Sequence, residues 1–173
     1  AWSYTMLFEK FDLDAGEAGL WAGFYWGAIA LGRLVLSPMS RNLKPAKLIQ
    51  FGTFGLLIGA LMMTRDQSWL FQAGLLVFGF AMAPLFPTLM SLTPSRLGSN
   101  VSLHAIGFQV SAAVLGGASI PTLAGILAGR TTLTAIPWTL AIGAAIVIAI
   151  ETVLRGQDVH PDASPVTKLP GVA

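Results

Sequence analysis

The chain has 173 residues, of which 54% are apolar and only 10% charged, and its mean hydropathy is +0.71. Ordinary globular chains carry about 25% charged residues, so a water-exposed surface is excluded and a lipid bilayer is the natural solvent. The formal charge of +2 arises from ten basic residues spread along the chain, without the patch that nucleic-acid binding needs, and the absence of cysteine excludes disulfides and thiol chemistry.

Taken in chain order, residues 1–8 are apolar but too short to cross a membrane, and they read as the outer end of a helix whose beginning is missing. Ala1 is not an initiator methionine, so the chain reads as trimmed or internal. Five apolar runs follow, at 17–36, 46–63, 69–92, 101–128 and 135–154. Each is long enough for a membrane helix, which needs about 20 apolar residues, with roughly 17–25 accepted. A closed barrel is the other spanning solution, but its strands would alternate strictly. The stretch 143–150, Gly-Ala-Ala-Ile-Val-Ile-Ala-Ile, is apolar on every face. The expected fold is therefore an all-α, polytopic transmembrane bundle over 1–155. The polar, proline-bearing stretch 156–173 is expected to be a disordered cytoplasmic tail.

Charge in the connections sets the orientation. Arg33, Arg41, Lys44, Lys47, Arg96, Arg155 and Lys168 fall on one side, whereas Lys10, Arg65 and Arg130 share the other with five acidic residues. The first side is expected in the cytoplasm. Trp69 and Trp138 then sit at the outer ends of their spans, where indole suits the headgroup region. Small residues four apart, at Gly55 and Gly59, Ala112 and Gly116, and Gly125 and Gly129, predict close helix packing.

A polar side chain deep in lipid is costly, which marks it as a functional candidate. At 1.5 Å per residue, Tyr25 and Trp26 lie roughly 12–14 Å into their span. Gln109 lies at a similar depth from the opposite side, and His104 about one turn into the same helix. An amide beside aromatic faces suits a neutral polyhydroxylated ligand, since the amide donates and accepts while the rings stack. The alternatives are packing or lipid-facing roles for Tyr25 and Trp26, an interhelix bond for Gln109 and a solvated position for His104. Arg33 can snorkel to the interface or bond across a gate. Pro84 and Pro87 interrupt the third full span, which predicts a bend, either fixed or gating, with Thr88 placed to satisfy freed carbonyls. Two histidines are too few for a metal site, and no enzyme constellation or cofactor-binding motif is present.

Three stretches carry a family resemblance. They are Tyr25-Trp-Gly-Ala-Ile-Ala-Leu-Gly-Arg33, Gly79-Phe-Ala-Met-Ala-Pro-Leu-Phe-Pro-Thr-Leu-Met90 and His104-Ala-Ile-Gly-Phe-Gln109. Together they resemble the major facilitator superfamily, nearest its fucose-permease-like sugar:proton symporter branch. The resemblance implies the second six-helix half of a twelve-helix bundle, with a partner N-terminal half of six helices and alternating access around a central cavity. It implies a small-molecule solute such as a sugar, a bacterial inner membrane and proton coupling by analogy alone. The family's loop motif, Gly-x-x-x-Asp-Arg, is matched in 36–41 at Arg41, but Ser40 stands where the acid would be. An exporter of amphipathic compounds and a non-transporting scaffold or dimerising half-protein are the competing readings.

Overall fold

The computed structural model describes residues 2–39 and 43–155, and every regular element among them is helical. Helix α1 (Trp2–Thr5) continues into a wider π-helical turn at Met6–Lys10. Then come α2 (Ala15–Met39), α3 (Pro45–Met63), α4 (Ser68–Met82), α5 (Leu85–Leu97), α6 (Ser99–Arg130) and α7 (Ala135–Arg155). Five segments are long and apolar enough to cross a membrane, one of them running through both α4 and α5.

Local chemistry starts and stops these helices. Asp14 caps α2, its Oδ1 accepting the N–H groups of Gly16 at 2.7 Å and Glu17 at 2.9 Å. Glu17 places a carboxylate in the first turn, toward the positive end of the helix dipole. Pro45 opens α3 at a position where its missing N–H costs nothing. Gly98 has φ +77° and ψ 162°, a backbone region open essentially to glycine, and this lets α5 turn into α6 across one residue.

The bend in the third span has a covalent cause. Pro84 cannot donate to the Phe80 carbonyl, which instead receives the Ala83 N–H at 3.3 Å. Helix α5 restarts immediately, with Pro87 in its first turn, where the absent N–H is tolerated. Thr88 donates its hydroxyl to the Pro84 carbonyl at 2.6 Å.

Packing centres on α4, which lies parallel to α2 and antiparallel to α3. Glycine permits both approaches. A Cβ at Gly59 would lie 2.7 Å from the Phe78 amide nitrogen and 2.9 Å from the Gly74 carbonyl. One at Gly74 would lie 2.7 Å from the Gly59 carbonyl. Gly52 and Gly55 extend this seam against Leu85 and Ala81, while Gly32 and Gly79 bring α2 against α4. In lipid, where apolar contact with solvent carries no penalty, such close backbone approach is a main source of helix association. The pairs expected on α6 and its flank behave differently. Gly116 and Gly129 have no neighbouring helix against them among the described residues, and the space at Gly125 is filled by the Trp2 ring. Trp2 Nε1 also donates to the Pro121 carbonyl at 2.9 Å, pinning α1 to α6.

The apolar core gathers at the α4 N-terminal end of the bundle. Phe71 and Leu7 are fully buried there, with Met6, Met63, Leu75 and Ile136 around them. Phe11 stacks obliquely on Phe71 at 5.2 Å. Lys10 Nζ approaches Asp66 Oδ1 to 2.9 Å, an ionic contact without hydrogen-bond alignment. A second polar tie joins α3 to α7. There the buried Thr53 hydroxyl lies 2.9 Å from the Ile49 carbonyl and 3.2 Å from Glu151 Oε2.

Candidate functional site

The Arg33 end of the bundle is looser than the Phe71 end. A cavity of about 840 Å³ opens there between α2, the start of α3 and the α4–α5 bend. Arg33, Pro84, Pro87, Thr88 and Ser91 all line it. Three of the residues singled out for gating or bending thus converge on one space, although they are separated by about fifty positions of sequence. The bend creates that space by redirecting the chain at Ala83, and Gly32 lets the bend sit tightly against α2. Arg41 lies outside the described residues.

Tyr25 faces inward from α2 and is half-buried. Its backbone carbonyl abuts Gly79 on α4, and its hydroxyl donates to Met82 Sδ at 3.6 Å. It lines a smaller cavity, about 230 Å³, with Trp2, Ser3, Met63 and Met82. Trp26 follows it in sequence and so points about 100° away around the helix. It is 68% exposed and meets the Tyr25 ring edge-on at 5.4 Å.

Gln109 is exposed on α6, and the smaller cavity around Tyr25 does not reach it. Its partner is across the Gly98 turn, where the Thr93 hydroxyl lies 2.9 Å from Gln109 Oε1. Thr93 itself is 4% exposed. His104 is exposed on the same helix. It stands five positions before Gln109, which places the two about 140° apart, so they do not share a face. Sequence reasoning passed over Thr93 and Trp2. Thr93 gave no signal beyond being one hydroxyl in a short polar stretch, and Trp2 sat in a segment too short to span.

Helix α6 presents the barest surface. In its membrane-length window 6% of residues are buried, against 39% for α3 and for the α4–α5 span. The corresponding figure for α2 is 17%. Among the described residues no group of three or more metal-binding side chains occurs.

Comparison with known proteins gives three findings. The profile of the Major Facilitator Superfamily matches residues 1–170. A putative glucose/galactose transporter of Helicobacter pylori (strain J99) is 32% identical over 133 residues, 75% of this chain and 32% of that protein. A glucose/galactose transporter of Brucella abortus biovar 1 is 28% identical over 116 residues, 67% of this chain and 28% of that protein. The chain therefore spans about a third of the length of the curated relatives it matches. No solved structure matches it significantly.

Proposed function

Because the chain belongs to the major facilitator superfamily, we propose that it forms the carboxyl-terminal half of a secondary transporter for a neutral hexose such as glucose or galactose. Membership also makes it an integral, multi-pass membrane protein of a transporter family and not an enzyme. The observation that carries the substrate proposal is its similarity to relatives named glucose/galactose transporters. Their bacterial origin favours a bacterial inner membrane, and they are consistent with the fucose-permease-like branch.

The uncovered surfaces of α2 and α6 support a partner half of six further helices. Trp26 and Gln109 are exposed on the two barest helices, so a second half docked over them would enclose these two side chains, whereas Tyr25 already faces inward. The Arg33 end carries the larger cavity and the Phe71 end the packed core. Alternating access then requires the core end to part while the cavity end closes. The α4–α5 bend at Pro84 is the place where one span can change direction while the Gly55, Gly59 and Gly74 contacts on α4 are kept. Proton coupling would require a titrating group, and the partner half is the proposed source.

The test is uptake of labelled glucose by vesicles containing the transporter in which this chain resides. Gln109→Ala should lower uptake at limiting glucose while leaving the amount of protein in the membrane unchanged. Uptake that stays at the parent level would remove Gln109 from the cavity wall. Failure of glucose and galactose to compete with each other would refute the hexose assignment.

A further inference from the structure

We infer that Thr93 is a positioning residue that fixes the amide of Gln109 as a hydrogen-bond donor, so that this site recognises a lone pair on a sugar hydroxyl oxygen and not the hydroxyl proton. The inference rests on the hexose-transport reading above and assigns the polarity of one contact within it.

A threonine hydroxyl has one proton to donate. Two acceptors lie within reach of Thr93 Oγ1, Gln109 Oε1 at 2.9 Å and the Leu89 carbonyl at 3.1 Å. The shorter bond goes to Gln109. The Leu89 carbonyl, four positions back in the same helix, stands farther off, which leaves Gln109 the closer acceptor. Thr93 is nearly buried, so water does not compete for its hydroxyl.

A glutamine amide has one oxygen and one NH₂ group, and engaging the oxygen commits the nitrogen to the other side. Gln109 is exposed, and among the described residues only Thr93 bonds it. The two N–H donors are therefore the groups offered to whatever fills the space beside α6. A donor pair on a planar, uncharged group binds an ether or hydroxyl oxygen without demanding charge on the ligand. That matches a neutral sugar.

The local backbone makes this arrangement stiff. Gly98 joins α5 to α6 through one residue, and its φ of +77° would strain any other side chain. Side chains slant toward the start of their own helix. Gln109 thus leans back toward the Gly98 turn, down onto Thr93, although it stands farther from the turn than Thr93 does. The two residues are sixteen apart in sequence yet locked by a single-residue hinge.

The experiment measures KM and Vmax for labelled glucose in vesicles, with Gln109→Ala, Gln109→Glu, Thr93→Val, Thr93→Ser and the Thr93→Val/Gln109→Ala pair. Membrane abundance is measured for each. Gln109→Ala and Thr93→Val should each raise KM about five- to tenfold, the loss of one hydrogen bond, with Vmax held. The double variant should be no worse than either single one, because both remove the same contact. Thr93→Ser restores the hydroxyl and should restore KM, whereas Gln109→Glu cannot donate and should resemble Gln109→Ala. The polarity is read with monodeoxy and matched deoxyfluoro glucoses, since fluorine accepts but never donates. At one ring position the deoxy sugar should bind worse than glucose to the parent protein while the fluoro sugar binds as glucose does. Gln109→Ala should erase that difference.

A raised KM in Gln109→Ala with an unchanged KM in Thr93→Val overturns the positioning role while leaving the cavity reading intact. Deoxy and deoxyfluoro sugars that are equally poor at every position overturn the donor assignment. No change in Gln109→Ala removes the cavity reading itself.

Discussion

Gly59 offers the sharpest test of the packing that holds this bundle. An added Cβ would stand 2.7 Å from the Phe78 amide nitrogen and 2.9 Å from both the Gly74 carbonyl and the Phe78 Cβ. Two of those three atoms are backbone, so no side chain can rotate away. Ordinary contact begins at 3.4 Å, and α3 and α4 must part by about 0.7 Å to reach it. The separation spreads along the seam, because Gly52 and Gly55 are held as tightly. Overpacking of this kind costs about 1–3 kcal/mol. That corresponds to roughly a 5- to 150-fold change in the folding constant and to a fall in apparent Tm of about 2–12 °C for a chain of this size. The assay is the loss of monodisperse protein on heating in detergent, comparing Gly59→Ala with Gly143→Ala. Gly143 has nothing within 4 Å of the added atom, so its substitution should leave Tm within about 2 °C of the parent. Gly74→Ala should match Gly59→Ala, and the double variant should fall short of the sum. Equal melting of Gly59→Ala and Gly143→Ala would refute the seam as a source of stability.

Two further outcomes are expected. Pro84→Ala returns an N–H that can donate to the Phe80 carbonyl, so α4 and α5 should fuse into a straighter helix. Pulsed electron paramagnetic resonance should then report a longer distance between spin labels at Trp69 and Leu97, and an unchanged distance would show that the proline does not cause the bend. This chain has no cysteine, so single cysteines at Asp66 and Lys44, in a transporter cleared of cysteines elsewhere, report sidedness. An impermeant maleimide should label the first in intact cells and the second only after permeabilisation, and labelling of both from one side would overturn the proposed orientation.

Five apolar runs with no period-two alternation dictate spanning helices, because lipid leaves the backbone no partner but itself. The proline pair in 83–88 dictates a bend for an equally local reason, the loss of a donor at a known position. The spacing of Gly55 and Gly59 pointed to close packing because the requirement is for absent atoms, which the sequence states outright. Identical reasoning gave a poorer account of Gly125, whose empty face is taken by an indole and not by another helix backbone.

Which polar groups meet depends on how distant segments pack. Trp2 reaches Pro121 across 119 residues, and Thr93 finds Gln109 through a turn whose geometry depends on one glycine dihedral. Arg33 shares a cavity with Pro84 only because α2 and α4 run parallel at glycine contacts. Hydropathy and helix period are properties of neighbours along the chain, so they dictate that there are helices and roughly where they bend. The rotation and tilt of each helix follow from contacts between distant segments. A rotation of 100° exchanges Tyr25 for Trp26 at the bundle interior, and no local pattern in a uniformly apolar helix resists that exchange.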